Sequence, residues 1–544
     1  MKKNVGLMLL FSMCWVIGFS QKKTIVNTGL ARPKLVIGIV VDQMRWDYLY
    51  RYSSRYGANG FKRILRDGFS CENTMIPYVP TYTAPGHTCI YTGSVPAIHG
   101  IIGNDWYNRQ TKKSVYCTED TVATVGSSSK AGKMSPANMW VTTVTDELRL
   151  ATNFKSKVIG VALKDRGAIL PAGHSANAAY WFDNSNGAFI SSTYYMNVLP
   201  EWVQKFNDKK LPDQYLQQNW NTLYPINTYT QSTTDDERYE SVLPGEGKTF
   251  PHNTAAITKD KYNALRYTPM GNTLTMEMAK AAIEGEQLGK SSNTDFLAIS
   301  FSSTDYIGHA FGPNSIEAED TYLRFDIMLA GFIDYLDNTI GKGQYTVFLT
   351  ADHGVAHVPG FEDEEAHTPA GTVRDSAIKA ALNDTLEKRF GIKKSIEEVS
   401  NYQVYFSANV TDTIVAAATG IAICRLMQLP YIANAVDLQH VSDATINAVQ
   451  KSMLTNGYNQ KLSGDIQFIL KPQWIEGSAK GTTHGSWNPY DTHIPMLWYG
   501  WGINKGHTNR ETAMTDIAAT VAALLHIQMP SGCVGKVIEE VIRK

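Results

Sequence analysis

Three short apolar runs constrain the fold of this chain more than any other feature of its sequence. They are LVIGIVV at 35–41, FLAISF at 296–301 and TVFLTA at 346–351. Each run is almost continuously apolar or β-branched and shows little alternation, which is typical of strands buried on both faces. Strands of this kind belong to parallel sheets covered by helices. The sequence therefore predicts an α/β core with a mostly parallel central sheet.

Metal-binding side chains follow each of the three runs. They are Asp42 after the first run, Asp305 and His309 after the second, and Asp352 and His353 after the third. Ligands of open parallel sheets bind beyond the carboxyl ends of the strands, so these side chains are expected to converge. With His484 in GTTHGSWN they offer six oxygen or nitrogen ligands, which suits two zinc ions of about four ligands each. One aspartate after a strand can be a turn or capping residue, but the whole set favours a two-metal hydrolase.

The N-terminus is typical of an export signal. Two lysines precede an apolar stretch at 5–18, and small residues precede Gln21, so we expect residues 1–20 to be a signal peptide. The protein is then expected in the periplasm or secreted. The apolar stretch is shorter than the roughly 20 residues that span a bilayer, which makes a membrane anchor the less favoured alternative. A lipid anchor at Cys14 is disfavoured as well.

Charge and cysteine usage exclude several other classes. The formal net charge is −1, so no overall positive field indicates a nucleic-acid partner. Beyond the signal peptide there remain Cys71, Cys89, Cys117, Cys424 and Cys533. An odd number implies at least one free thiol, and the absence of a C-x-x-C pair argues against a zinc ribbon or a disulfide scaffold. The sequence still allows one or two disulfides but does not assign their partners.

One large catalytic core from 33 to 544 is predicted, with insertions near 174–270 and 373–470. The first insertion is aromatic and weakly periodic, and the second shows the buried-strand pattern only in patches. The alternative for residues 174–270 is an irregular segment of the core itself. Further elements predicted from periodicity are helices at 47–66, at 271–286 and from Thr515 onward, and strands at 158–163 and 494–500.

A loop at 78–107, dense in proline, glycine, serine and threonine, contains the segment T-A-P-G-H with Thr83. A hydroxyl beside two zinc ions becomes a nucleophile because metal coordination lowers its pKa. Thr83 is the predicted nucleophile, and Thr81 and Thr88 are its local competitors. A threonine that only bonds to the backbone is the alternative, and composition alone favours it.

The motifs of the expected site are Asp42 after the first strand, Thr83 in TAPGH, Asn104 in GNDWY, Asp305 and His309 in D-x-x-x-H, Asp352 and His353 in ADHG, and His484 in THG. Taken together, they resemble the alkaline phosphatase superfamily. LKDR at 163–166 and STDYIGHAFGP are similar to the bacterial phosphate-irrepressible alkaline phosphatases. The resemblance runs from about residue 34 to the C-terminus. It implies a sandwich with a mostly parallel central sheet flanked by helices, plus inserted cap segments.

The resemblance also implies a role for each motif residue. One zinc ion would be held by Asp305, His309 and His484, and the other by Asp42, Asp352, His353 and the Thr83 oxygen. The non-bridging phosphoryl oxygens would be bound by Asn104, Lys164 and Arg166. Arginine offers a planar fork of donors and lysine a point charge, and both suit a phosphoryl oxygen. A solvated surface pair is the alternative for Lys164 and Arg166.

The implied function is an exported, two-zinc phosphate monoester hydrolase in which Thr83 attacks phosphorus and a phosphothreonine forms and is then hydrolysed. The expected partners are small-molecule phosphate monoesters, with no nucleic acid, no stable membrane span and a monomeric state. His357, at H-x-x-x-H spacing from His353, is not expected to bind metal because Gly354 favours a turn. Four further histidines, at 87, 99, 174 and 493, are expected to be supporting or structural groups.

Two other readings remain open. A nucleotide pyrophosphatase or phosphodiesterase of the same superfamily resembles the chain at the metal ligands and at Thr83. A catalytically inactive binding protein on this fold is less favoured because the ligand set is complete. The chain contains neither a sulfatase C/S-x-P-x-R motif nor a Walker A motif.

Overall fold

The structure is a computed structural model that describes residues 30–543. The expected signal peptide at 1–20 and Cys14 lie outside the described residues. Within the described range, no helix has the length and apolar character of a membrane span. The five cysteines of the same range are free thiols, so none of the disulfides left open by the sequence joins them.

The strands form the framework of the molecule. They are β1 (Leu35–Val41), β2 (Phe69–Met75), β3 (Asp105–Asn108), β4 (Lys113–Tyr116), β5 (Thr124–Val125), β6 (Val158–Ala162), β7 (Ala178–Asp183), β8 (Ala188–Ser192), β9 (Asp295–Phe301), β10 (Tyr345–Thr350), β11 (Gly371–Val373), β12 (Ile396–Ser400), β13 (Gln403–Phe406), β14 (Ile432–Asp437), β15 (Ile466–Leu470), β16 (Trp474–Glu476), β17 (His493–Gly500) and β18 (Gly506–Ala513).

The helices connect and cover these strands. They are α1 (Tyr48–Arg51), α2 (Phe61–Asp67), α3 (Thr83–Thr92), α4 (Pro96–His99), α5 (Val144–Ala151), α6 (Asp165–Ala172), α7 (Glu201–Asp208), α8 (Leu211–Leu216), α9 (Lys261–Leu265), α10 (Pro269–Gly285), α11 (Ser303–Phe311), α12 (Ile316–Leu336), α13 (Pro359–Phe361), α14 (Asp375–Phe390), α15 (Val415–Met427), α16 (Ala448–Gly457), α17 (Pro489–Thr492) and α18 (Asp516–Leu525).

The central sheet has ten strands in the order β18-β2-β17-β10-β1-β9-β6-β7-β8-β5. Strands β10, β1, β9, β6 and β7 pair in parallel, while β17 and β8 run against their neighbours. Every residue of β1, β9 and β10 is buried, because helices such as α6 and α10 pack on the sheet. The predicted mostly parallel α/β sheet is confirmed.

A second, four-stranded antiparallel sheet has the order β12-β13-β15-β14. Helices α14 and α15 pack on it and bury a separate apolar cluster that includes Leu382, Ala422 and Phe468. This sheet lies in the chain segment predicted to be the second insertion. The first predicted insertion contributes β7 and β8 to the central sheet. The domain boundaries themselves stay a prediction.

The helix expected at 47–66 is replaced by two short helices, α1 and α2. The carboxylate of Asp326 accepts hydrogen bonds from the Gly57 and Phe61 N–H groups, both at 2.8 Å. A Cβ atom on Gly60 would lie 2.2 Å from Asp326 Oδ1, so the chain turns tightly around this side chain. Helical spacing in the sequence does not reveal a turn that depends on a carboxylate from a distant helix.

Candidate active site

The three predicted site aspartates lie at the carboxyl ends of three central strands. Asp42 follows β1 directly, Asp305 lies in the first turn of α11 after β9, and Asp352 follows β10. The Asp42 N–H donates to the Phe301 carbonyl at 3.1 Å, so the ladder of β1 and β9 continues to the edge of the site. Three carboxylates that are far apart in the sequence meet because parallel strands end at the same edge of a sheet.

Three imidazoles face these carboxylates, each held in one tautomer by a backbone carbonyl. The Nδ1 atoms of His309, His353 and His484 lie 2.8, 3.0 and 2.7 Å from the carbonyl oxygens of residues 482, 354 and 81. A carbonyl only accepts, so each Nδ1 carries a hydrogen, and in the neutral imidazole Nε2 presents the lone pair. This is the usual arrangement behind metal-binding histidines.

The Nε2 atoms of these imidazoles point into one cluster. His309 Nε2 lies 3.2 Å from Asp305 Oδ1, and His484 Nε2 lies 3.7 Å from the same oxygen. His353 Nε2 lies 3.5 Å from both Asp42 Oδ1 and Asp352 Oδ2. All six predicted metal ligands are therefore brought together.

The cluster has more negative than positive charge. Three buried carboxylates face a single ammonium, that of Lys164, whose Nζ lies 2.7 Å from Asp42 Oδ2 and 2.5 Å from Asp305 Oδ2. Asp42 Oδ1 and Asp352 Oδ2 are buried without a hydrogen-bond partner in the described part of the chain. Buried, unpaired carboxylate oxygens are costly unless a cation neutralises them.

The pKa values reflect this imbalance. Burial raises the pKa of Asp42 well above its usual value, and Asp305 and Asp352 raise it further. Burial also acts to raise the pKa of Asp305, but His309 and Lys164 outweigh it and hold that pKa well below the usual value. Burial lowers the pKa of His484, so its imidazole is neutral. Ionised Asp305 and neutral His484 are the forms that bind metal, and Asp42 needs a further cation to stay ionised.

The geometry of the donor set fits metal ions. Two groups have ligand atoms that all lie within 4.8 Å of one another: Asp305 with His309 and His484, and Asp42 with Asp305 and His353. The first group is one of the two predicted ligand sets. In the second group Asp305 stands where Asp352 was predicted, although Asp352 also lies beside His353. Carboxylate oxygens and imidazole nitrogens are the ligands of zinc sites with an open position.

Among the three candidate threonines, Thr83 is the one whose hydroxyl contacts a residue of this cluster. It is the first residue of α3, is 1% exposed, and its Oγ1 lies 3.4 Å from His353 Nε2. The Thr81 hydroxyl instead donates to the Ser486 carbonyl at 3.0 Å, and the Thr88 hydroxyl to the Ala84 carbonyl at 2.8 Å. The partial positive charge at the start of α3 favours an anion beside Thr83.

The three predicted phosphate-binding residues, Asn104, Lys164 and Arg166, are each held by a polar contact within the chain. Asn104 Oδ1 accepts a hydrogen bond from the Ala84 N–H at 2.9 Å, which leaves its Nδ2 as the donor for a ligand. Arg166 lies in the first turn of α6, two residues after Lys164, and its Nη1 donates to the Tyr116 hydroxyl at 3.0 Å. The Arg166 Nε is buried and has no partner within the described residues.

One site residue was missed by sequence reasoning. Gln43 donates from Nε2 to Asp305 Oδ1 at 2.6 Å and from its backbone N–H to Asp352 Oδ1 at 3.1 Å. Its backbone has φ of 68°, which is unusual for a non-glycine residue and indicates a constrained position. Its place directly after Asp42 is the only sequence signal for it.

The other histidines serve other contacts. His87 lies behind the site, with Nδ1 2.9 Å from the Thr83 carbonyl and 3.3 Å from Asp352 Oδ2. His357 contacts Arg45 and Asn314 in a segment that is not helical. Three more pair elsewhere: His99 with Cys89, His174 with Asp146 and the Met139 carbonyl, and His493 with the Glu72 carbonyl.

Comparisons with known proteins place the chain in one family. The family model for type I phosphodiesterase / nucleotide pyrophosphatase matches residues 36–491. Alkaline phosphatase PhoV of Synechococcus elongatus is 53% identical over 522 residues, 94% of either chain. A Myroides odoratus protein named calcium-transporting ATPase is 52% identical over 548 residues, 98% of either chain.

Alkaline phosphatase PafA of Elizabethkingia meningoseptica is 52% identical over 525 residues, covering 95% of this chain and 96% of that protein. The crystal structure of wild-type PafA superposes with a TM-score of 0.92 at 51% identity and covers 95% of this chain and 100% of that one. The fold is thus an α/β fold of the alkaline phosphatase type. Within that superfamily, the chain belongs to the type I phosphodiesterase / nucleotide pyrophosphatase family. The resemblance drawn from the sequence motifs is confirmed.

Proposed function

We propose that this protein is an exported phosphate monoester hydrolase, an alkaline phosphatase that uses two zinc ions and a phosphothreonine at Thr83. The observation that carries the proposal is that a hydroxyl and a cationic side chain meet the same cluster of metal-ligand residues: Thr83 contacts His353, and Lys164 contacts Asp42 and Asp305. The names of relatives that are more than half identical to the chain support the same activity.

The residues divide into metal ligands and groups that act on substrate. Zinc would be held by Asp305, His309 and His484 in one position, and by Asp42, Asp352, His353 and the Thr83 oxygen in the other. When bound, zinc supplies Lewis acidity that favours loss of the Thr83 proton and departure of the leaving-group oxygen.

The chain's own groups perform the transfer in two steps. The Thr83 oxygen forms a bond to phosphorus as the ester oxygen departs with a proton, which leaves a phosphothreonine and a free alcohol. Water then attacks phosphorus, and Thr83 regains its proton as inorganic phosphate is released. In both steps Asn104, Lys164 and Arg166 bind the non-bridging oxygens and stabilise the negative charge on them.

The number of charged donors favours monoesters over diesters. A monoester dianion presents three non-bridging oxygens and two negative charges, whereas a diester has one fewer of each. Lys164, Arg166 and the Nδ2 donor of Asn104 offer more contacts than a diester can use. The family description leaves a nucleotide pyrophosphatase or phosphodiesterase as the second candidate.

Arg166→Ala provides the test. We expect kcat/KM for an aryl phosphate to fall by about 10²–10³, since removing one donor to a charged transition state costs roughly 2–4 kcal/mol. An aryl methyl phosphodiester should lose much less. The exposed Arg66, paired with Asp67, provides a matched control in Arg66→Ala.

Equal losses of activity on both substrates would replace the monoesterase proposal with the phosphodiesterase alternative. Full retention of activity on both would remove Arg166 from the site. Zinc content is measured in parallel, because a variant that has lost metal reports on the ligands and not on the phosphate contacts.

A further inference from the structure

The hairpin of β3 and β4 links two of the three phosphate-binding side chains. Asn104 immediately precedes β3, and Tyr116 ends β4, with Asp105 and Tyr116 paired across the two strands. The Cys117 N–H donates to the Asn104 carbonyl at 2.9 Å, which closes the hairpin at the site. One small element therefore fixes both Asn104 and Tyr116.

The Tyr116 hydroxyl connects two charged side chains of α6. It accepts a hydrogen bond from Arg166 Nη1 at 3.0 Å and donates to Asp165 Oδ1 at 2.7 Å. The Thr118 hydroxyl donates to the same Asp165 oxygen at 3.1 Å. Asp165 thus orients the Tyr116 hydroxyl so that its lone pair faces the guanidinium.

The hairpin is itself anchored from the other side. Asn401, between β12 and β13, donates to the Asp105 carbonyl at 2.7 Å, and the rings of Tyr107 and Tyr405 meet edge-on with centroids 5.5 Å apart. Arg109 pairs with Asp465 at 3.0 Å. The four-stranded sheet thereby supports the hairpin along its length, and a supported hydroxyl can hold a long side chain in one rotamer.

We propose that Tyr116 is a positioning residue that holds Arg166 in the orientation in which its guanidinium meets the phosphoryl group. The inference rests on the proposed function, because it takes Arg166 to be a phosphate ligand. Nη1 is engaged by Tyr116, and the buried, unpartnered Nε is among the Arg166 donors left for substrate. Arginine has several rotatable bonds, so without the hydroxyl the guanidinium would sample orientations that do not reach the phosphoryl oxygens.

Tyr116→Phe tests this with little change in volume. We expect kcat/KM for an aryl phosphate to fall about tenfold, less than for Arg166→Ala, because the cation remains but is less ordered. The loss on an aryl methyl phosphodiester should be smaller, a difference that a general loss of folded enzyme would not produce. Asp165→Ala, which frees the Tyr116 hydroxyl, should reproduce this selective loss and serves if the phenylalanine variant folds poorly.

Tyr180→Phe is the matched control. Tyr180 is buried in β7, and its hydroxyl has no hydrogen-bond partner among the described residues, so its removal should leave both activities within twofold of the parent. A double variant completes the design. In the Arg166→Ala background, Tyr116→Phe should cost nothing further, because the group that it positions is gone.

The outcomes separate the inference from the proposed function. If Arg166→Ala is strongly impaired on the monoester but Tyr116→Phe is not, or if the two effects add in full, the positioning role is wrong and the phosphatase assignment stands. If Arg166→Ala itself has no selective effect, the proposed role of Arg166 fails and the inference fails with it.

Discussion

At the residue scale, the proposal assigns the attacking atom to the Thr83 hydroxyl oxygen. Thr83→Ala removes the hydroxyl and should lower the monoesterase rate by roughly 10³-fold or more, whereas Thr83→Ser keeps the oxygen and should retain substantial activity. Acid quenching of the working enzyme should trap covalent phosphate in the parent and in the serine variant. Thr81→Ala and Thr88→Ala are the controls and should still form the phosphoenzyme. Covalent phosphate in the Thr83→Ala enzyme would instead assign the nucleophile to Thr81 or Thr88.

Single residues also show what the sequence could and could not reveal. Asp42, Asp305 and Asp352 were predictable because each follows a buried apolar run, and strand ends in a parallel sheet share an edge. Gln43 and Tyr116 were not predictable in this way. An amide or a phenol has no characteristic motif, and its role arises only from what the folded chain places within hydrogen-bond distance.

At the element scale, α5 begins with a capping box that is unusually rich in hydrogen bonds. The Thr143 side chain and the Asp146 carboxylate each accept the other's backbone N–H, and Asp146 also accepts from the Ser175 N–H and hydroxyl at 2.7 and 2.8 Å. Burial acts to raise the pKa of Asp146, but His174, Thr143 and Ser175 lower it to about 2. Folding lowers the pKa of Asp146, so the ionised carboxylate makes its full contribution to stability above about pH 4. This contribution disappears as pH falls through about 2.

Asp146→Asn should therefore lower the free energy of unfolding by about 2 kcal/mol at neutral pH. Asp146 also raises the pKa of His174, so the charged imidazole adds to the effect at lower pH. Denaturant unfolding of parent and variant, compared at each pH, should therefore give a difference that increases from pH 8 to pH 5 and shrinks below pH 4. Asp384→Asn, at an exposed pair with Lys388 on α14, should change stability by less than about 0.5 kcal/mol. A difference that continues to grow below pH 4 would contradict the assignment.

Elements differed in how well their sequences predicted them. β1, β9 and β10 are buried on both faces, so their sequences are continuous apolar runs. The second sheet is harder to recognise because strands such as β12, IEEVS, bury only Ile396 and Val399 and carry a weak pattern over five positions. The 494–500 segment was correctly predicted as a strand, but its antiparallel pairing with β10 depends on chain connectivity and not on composition.

For the whole molecule, the charge imbalance of the site predicts that metal and fold are linked. The purified enzyme should contain about two zinc ions per chain, lose activity on chelation and regain it when zinc is added back. Because a ligand that binds only the folded state stabilises it, the chelated protein should also unfold at a lower temperature. His309→Ala should lose zinc, and His440→Ala, at an exposed pair with Asp437, should not. Full activity in a preparation without transition metal would end the two-zinc proposal.

The ligands of the site span the chain from Asp42 to His484, and this spacing has a consequence for how the enzyme is made. A growing polypeptide lacks one of the imidazoles until nearly all of its residues have been synthesised, and contacts between such distant positions form late in folding. A metal ion that needs the complete ligand set would therefore bind a chain that is already assembled. Any product of premature termination before residue 484 would lack the last ligand, so activity reports only chains that have reached nearly full length.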